Sequence, residues 1–327
     1  MIESSNFDKA ISLPNLSEAA LSALKSKQTG HRYSKYLHRL GSNVWKLHKK
    51  LKTHQHTPTK PREFDLWCIS GQKMRHISVP AITDSVIQHT AYESILGIID
   101  KKLIFDSYGC RRGKGTHRAA DRCQYFMRKV PQGSYCLQLD FRKYYYNLDH
   151  KILRDALLHL INDVPTVDLI VSQFPQDRDV GMNVGAMISQ IMGLVYLNEF
   201  DHYVKRVLKV KYYIRYVDDV VMLGLTKEEC HKIKDHLTKY IADKFHLTFS
   251  KAKIIPLSKG VNFVGYRTWP HKRIIRKRSM KVFKRNVRKG NVAKIASSLA
   301  HAKRTSSLKG MLDYIDKHLI VSNEETE

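Results

Sequence analysis

Acidic residues are scarce in this chain, and where they are missing says more than how many there are. Lys and Arg number 57 against 30 Asp and Glu, a net charge of +27. Two stretches hold no acid at all: Ala19 to Arg62, with 11 Lys and Arg, and Lys244 to Leu312, with 19. Surfaces that serve only solubility mix both signs, so acid-free stretches of this length argue for a polyanionic partner. Cysteine pairing is also missing. Cys68, Cys110, Cys123, Cys136 and Cys230 form an odd set without a C-x-x-C pair, which argues against a disulfide framework and a zinc knuckle and leaves reduced, structural thiols. No apolar run approaches the roughly 20 residues of a membrane span, so no membrane association is expected. The first residues carry Glu3 and Asp8 and no basic segment leading into an apolar one, so the expected location is the cytoplasm. His48, His54 and His56 cluster near Pro58 and Pro61 without acidic or Cys neighbours in sequence, which reads as a connector and not a metal site.

What is present centres on Ile214-Arg215-Tyr216-Val217-Asp218-Asp219-Val220-Val221-Met222, two adjacent carboxylates between runs of β-forming residues. The pattern predicts a hairpin with acid at its tip, where repulsion raises the carboxyl pKa values unless a cation lies between them. A second acid ends an alternating strand, Tyr135-Cys136-Leu137-Gln138-Leu139-Asp140, followed by Phe141 and Tyr144-Tyr145. If the two strands are neighbours in one sheet, Asp140 and Asp218 can share a pair of Mg²⁺ ions roughly 3.5–4 Å apart, with Asp219 in a supporting part.

Helical spacing marks both basic arms. Leu37, Leu40, Val44, Leu47 and Leu51 form one stripe among Lys46, Lys49, Lys50 and Lys52; Met280, Phe283 and Val287 form another among Lys281, Lys284, Arg285, Arg288 and Lys289. The second suits a helix lying along a duplex and gripping phosphates without reading sequence. Glu324, Glu325 and Glu327 reverse the charge in what reads as a frayed tail.

Tyr-x-Asp-Asp in a hairpin after an Asp-x-x-x-Tyr-Tyr strand resembles the palm of a reverse transcriptase. Gly71-Gln72-Lys73-Met74-Arg75 with Ile77-Ser78-Val79-Pro80 resembles the fingers motif of the bacterial, group II intron-like enzymes, and Ser107-Tyr108-Gly109-Cys110-Arg111-Arg112-Gly113-Lys114-Gly115 their next block. Leu247 to Lys253 and Gly260 to Tyr266 resemble motif D and the primer grip, so the likeness spans roughly residues 60 to 270. Where most such enzymes carry Gln-Gly-x-x-x-Ser-Pro, this chain reads Val184-Gly185-Ala186-Met187-Ile188-Ser189-Gln190, a variant that resembles the reverse transcriptases of diversity-generating retroelements, which are short and lack an appended nuclease or maturase domain.

The resemblance implies an α+β right-hand polymerase: fingers over 1–138 with the basic N-terminal arm, a palm over 139–266 with a βαββ-type core and a fingers insertion near 150–180, and a basic helical thumb and tail over 267–327. It implies two Mg²⁺ ions, with Mn²⁺ as a substitute, at Asp140, Phe141, Asp218 and Asp219. Lys73 and Arg75 would hold the triphosphate of a dNTP, Arg bidentately and Lys as a point charge. Tyr145, with Val184, Gly185 and Gln190, would line the nucleotide, Tyr145 excluding a 2′-hydroxyl, while Tyr144 and Tyr146, turned away from it by the alternation of a continuing strand, would pack in the core. Lys253 would protonate the pyrophosphate, although Lys251 shares its face. Phe263, Gly265 and Tyr266 would press on the primer end, with ordinary hairpin packing as the alternative for the rings. Arg111, Arg112 and Lys114, with Lys281, Lys284, Arg285 and Arg288, would contact the backbone of template RNA and of the RNA/cDNA hybrid.

A valine at position 184 can only pack where a Gln could hydrogen-bond, which loosens base discrimination. The resemblance extends this to misincorporation opposite template adenines, retrohoming into a variable target gene, an accessory variability protein as partner, and a bacterial or phage-infected cell as setting. Glu228, Glu229 and Asp235 are the acidic candidates for meeting that basic partner. A retron, defence-associated or intron reverse transcriptase without adenine-directed error, and a non-catalytic RNA-binding relic, remain the alternatives.

Overall fold

The computed structural model describes residues 5–25, 30–68 and 73–319. In chain order its main elements are α1 (Asn6–Ile11), α2 (Leu13–Leu24), α3 (His31–His38), α4 (Leu40–Lys52), β1 (Arg62–Cys68), β2 (Lys73–Val79), α5 (Ile82–Lys102), α6 (Thr116–Lys129) and β3 (Tyr135–Phe141). Then come α7 (His150–Ile161), α8 (Val164–Val171), α9 (Met187–Tyr196), α10 (Asn198–Arg206), β4 (Tyr212–Tyr216), β5 (Asp219–Leu225), α11 (Lys227–Phe245) and β6 (Phe249–Pro256). The chain ends with β7 (Val261–Phe263), β8 (Tyr266–Thr268), β9 (Arg273–Ile275), α12 (Lys277–Arg288), α13 (Val292–Ala302) and α14 (Leu308–Leu319). It divides into two compact units: Met1–Phe105 with Phe141–Tyr203 and Thr238–Thr248, and Asp106–Asp140 with Val204–Leu237 and Phe249–Glu327. The span expected for the palm is shared between them, the α7–α8 segment falls in the first, and the span expected for the thumb lies in the second.

The first unit is built around α5, against which α1, α2, α7, α8 and α9 pack. Surrounded in this way, α5 buries residues on every side and shows no single apolar stripe. Its buried polar groups are partnered: Asp84 accepts from His56 Nε2 (2.8 Å) and the Thr59 amide (2.9 Å), Gln88 accepts from the Met187 amide (3.2 Å), and Thr90 donates to the Ala10 carbonyl (2.6 Å). His56 thus has an acidic partner that sequence proximity did not reveal, because Asp84 lies 28 residues away and only tertiary folding joins them. The expected N-terminal stripe is real but broken. Arg39, at φ −110° and ψ 29°, separates α3 from α4; Val44, Leu47 and Leu51 are buried while Lys46, Lys49, Lys50 and Lys52 face outward.

In the second unit a four-stranded sheet runs β4-β5-β3-β6, with β5 antiparallel to both β3 and β4. Helix α6 covers it, and Cys123, Phe126 and Met127 join Cys136, Ile214, Val221, Leu223 and Phe263 in one core. Cys123, Cys136 and Cys230 are buried free thiols; burial pushes the Cys123 thiol up to about 12, so it is inert packing material. A second, three-stranded sheet, β7-β8-β9, supports α12–α14, whose core holds Tyr266, Phe283, Val287, Ile295 and Met311. The expected Phe283–Val287 stripe is this inner face, leaving Lys281, Lys284, Arg285 and Arg288 exposed. The tail with Glu324, Glu325 and Glu327 lies outside the described residues. Among the described residues no helix is long and apolar enough to cross a membrane.

Candidate active site

The two acidic strands are neighbours, and their register decides which acids meet. The hairpin loop consists of Val217 and Asp218, so β5 begins at Asp219, which pairs with Tyr216 on one side and stands directly opposite Asp140 on the other. Directly opposed residues of antiparallel strands share a face. Asp219, expected only in support, is therefore the cross-strand partner of Asp140, and Asp218 occupies the turn. Burial pushes the Asp219 carboxyl up to about 7; Asp140 and Asp218 add to this, while a hydrogen bond from Gln138 and the charge of Arg276 oppose it. Gln138 Nε2 donates to Asp219 Oδ1 (3.2 Å) and to the Asn262 carbonyl (2.6 Å).

On the other side of Asp140, the Ser250 hydroxyl of β6 donates to Asp140 Oδ2 and to its carbonyl (3.1 Å), and Lys251 Nζ lies 3.5 Å from Oδ2. Lys253, the expected proton donor, lines a cavity with Asp140 and Lys251. That cavity, about 570 Å³, also exposes Asp219, Asn262, Arg267 and Arg276. The period of two on β3 places Gln138 on the face of Asp140 and could have revealed it; Arg276, 57 residues beyond Asp219, gave no local signal.

The donor set fits Mg²⁺. It consists of carboxylate oxygens, one of them held high by burial and like charge, a penalty that a divalent cation removes. The described residues contain no group of three or more His, Cys, Asp or Glu that could by itself hold a metal ion. Phe141, expected among the metal ligands, is 2% exposed, with its ring in the core.

The first unit holds the residues expected at the nucleotide. Arg75 is exposed on the β1–β2 hairpin opposite Leu66; Gly71, Gln72 and the side chain of Lys73 lie outside the described residues. The Ser78 amide donates to the Val184 carbonyl (2.9 Å), and Gly185, at φ +109°, passes so close that a Cβ would lie 3.1 Å from Ile77 Cγ2. Gln190 is exposed on α9. Tyr144 to Asn147 form a 3₁₀ turn where sequence suggested a continuing strand, so faces do not alternate there. Tyr144 is buried and donates to the Gly193 carbonyl (2.6 Å), Tyr145 lies half-buried against the Gly193 backbone, and Tyr146 is exposed and not packed in the core.

The primer-grip expectation changes most. Phe263 and Tyr266 are each 1% exposed, so their rings pack inside the second unit. The Tyr266 hydroxyl donates to the His301 carbonyl (2.9 Å) beside the Nδ1 atoms of His117 and His301 (3.0 Å each). Val264 and Gly265, in the turn between Phe263 and Tyr266, are half-buried. Among the basic candidates, Arg111 donates to the Ser107 carbonyl (2.9 Å), Lys114 sits over the Tyr108 ring (4.7 Å), Arg112 is exposed, and Lys284 and Arg288 both engage Tyr314. Glu229 is spent capping α11 through Thr226, and Asp235 pairs with Lys234 (3.3 Å).

The family model "Reverse transcriptase (RNA-dependent DNA polymerase)" matches residues 60–268. The chain belongs to the reverse transcriptase family. It is 24% identical over 255 residues to protein YkfC of Escherichia coli (64% of this chain, 65% of that protein), and 23% identical over 320 residues to the group II intron-encoded protein LtrA of Lactococcus lactis (75% and 52%). Among solved structures it resembles apo telomerase of Candida tropicalis (TM-score 0.52, 13% identity, 83% of this chain and 61% of that one). It also resembles telomerase of Candida albicans in complex with a telomeric RNA fragment (0.51, 13%, 86% and 65%). At that identity the likeness shows the fold, which is the α+β right-hand polymerase fold expected from the sequence. The chain spans between about half and two thirds of the length of these proteins.

Proposed function

We propose that this reverse transcriptase is an RNA-directed DNA polymerase of the diversity-generating type, copying a template RNA into cDNA with errors at template adenines for retrohoming into a variable gene. The observation that carries the polymerase reading is the register that sets Asp140 against Asp219 with Asp218 in the adjoining turn. Metal ions held by these carboxylates would lower the pKa of the primer 3′-hydroxyl and stabilise charge on the transferring phosphate. Arg75 clamps the incoming triphosphate, Tyr145 presents bulk to the sugar 2′ position, and Lys253, or Lys251 beside Asp140, delivers a proton to the departing pyrophosphate. The exposed face of α12 holds the hybrid by its phosphates.

Support for the diversity-generating subtype rests on Val184-Gly185 and Gln190. The Val184 main chain is anchored to β2, and its aliphatic side chain offers no hydrogen bond to check a base. A template RNA and an accessory variability protein complete this reading. The similarity to LtrA favours a second one, a group II intron-like enzyme copying a structured RNA faithfully. Primer extension on an adenine-containing RNA with Mg²⁺, sequencing of the cDNA and Asp218→Ala as control separates them: errors concentrated opposite adenine support the first, faithful cDNA supports the second, and no product with cognate RNA and accessory protein supplied refutes both.

A further inference from the structure

We propose that Gly109 is a positioning residue for the turn that carries Asp218, acting through the space its missing side chain leaves for Val217; this rests on the polymerase reading above. Val217 is the first residue of the two-residue hairpin loop and has φ +57°. Loops of this kind normally place Gly there, and a β-branched residue in that region costs about 1–3 kcal/mol, so neighbouring structure must hold it. The segment from Asp106 to Gly109 does so. The Arg215 amide donates to the Asp106 carbonyl (3.0 Å), the Tyr108 amide donates to the Arg215 carbonyl (2.9 Å), and Ser107 bridges Arg215 in parallel, so this segment adds an edge to β4. The fully buried Arg215 then donates Nη1 to the Val217 carbonyl (2.8 Å). Asp106 is itself fixed by a two-pronged pair with Arg122 (2.7 and 3.1 Å).

Gly109 closes this brace. A Cβ at position 109 would lie 2.4 Å from Val217 Cγ2 and 2.9 Å from the Val217 amide nitrogen. Gly109 is not among the glycines with positive φ, so space, and not backbone conformation, demands glycine here. Ordinary contact begins near 3.4 Å, so a methyl group must push the turn by about 1 Å, and a displacement of that size at reacting groups costs about 10²-fold in rate. The same segment continues into Arg111, Arg112 and Lys114, so the loop expected to touch nucleic acid also sets where the carboxylates stand.

The test uses the full chain. Gly109→Ala should lower kcat for primer extension about 10²-fold with KM for dNTP and affinity for the RNA/DNA hybrid within about twofold of wild type, and should weaken Mn²⁺ binding measured by electron paramagnetic resonance. Adding Val217→Ala, which removes Cγ2, should restore at least about tenfold of the lost rate and the Mn²⁺ affinity by the coupling of a double-mutant cycle. Gly97→Ala, where a Cβ meets nothing within 4 Å, should change neither. Wild-type kcat and Mn²⁺ affinity in Gly109→Ala overturn the proposal, as does a loss of activity or of folding that Val217→Ala leaves untouched. If the wild type itself does not polymerise, the polymerase reading fails, and the Mn²⁺ measurements still decide the role of Gly109.

Discussion

Replacing Asp219 by Asn in the metal-free protein should remove a loss of stability that the wild type suffers as pH rises. In the folded chain burial holds this carboxyl near 7 against an ordinary value of 3.8. Because the folded value is raised, the folded state keeps its proton while the unfolded state loses it, so the penalty is absent below about pH 4, grows as pH rises through the interval, and is complete above pH 7. At 1.36 kcal/mol per pH unit the full gap is at most about 4 kcal/mol, and solvent at a partly exposed carboxyl reduces it to about 2 kcal/mol. Wild type in chelator should therefore lose a few degrees of Tm between pH 4.5 and pH 8 relative to Asp219→Asn. Added Mg²⁺ at pH 8 should return that stability to the wild type only, since a ligand that binds the folded state stabilises it by mass action. Melting curves with and without Mg²⁺ at the two pH values provide the assay. Equal pH responses in the two proteins would refute the argument that Asp219 is strained by burial and like charge.

Asp140→Ala removes the cross-strand carboxylate and should lower primer extension by at least about 10³-fold while leaving the melting curve close to wild type; a rate within tenfold would place the chemistry elsewhere. Lys253→Ala should reduce kcat by about 10²–10⁴ if Lys253 is the proton donor, whereas a larger effect from Lys251→Ala, whose exposed pair with Asp140 is worth under about 1 kcal/mol of stability, would assign the proton to Lys251. Arg285→Ala should lower the slope of log affinity against log salt for an RNA/DNA hybrid by about 0.7–0.9, seen in a salt titration of binding. Phe283→Ala, at a ring with no exposure, should cost about 3–5 kcal/mol and release the packing of α12 in a denaturant melt.

Features visible in the sequence are those written in neighbouring residues. Apolar runs flanking Asp218-Asp219 announced the hairpin, alternation up to Asp140 announced β3, and a 3.6-residue period announced the buried faces of α4 and α12. The same local logic failed where a single residue changes the backbone. Lys143 at φ +44° ends the strand and starts a 3₁₀ turn, so Tyr146 is exposed and only Tyr144 joins the core. Phe263 and Tyr266 read as a primer platform with hairpin packing as the alternative, and the structure buries both rings, Tyr266 beside His117 and His301, which are distant in sequence.

By itself, then, the sequence determined the chemical groups: Asp140 near a strand end, Asp218-Asp219 in a hairpin, lysines two residues apart on β6, and two acid-free basic arms. Tertiary structure alone decided the geometry. Which Asp faces Asp140 depends on the loop taking up Val217 and Asp218, because shifting a strand pairing by one residue turns every side chain to the other face. How that loop is held depends on Gly109, Arg215 and Asp106, which no local pattern connects. Periodicity reports which face a residue occupies, whereas register and close packing are set by contacts between segments far apart in the chain.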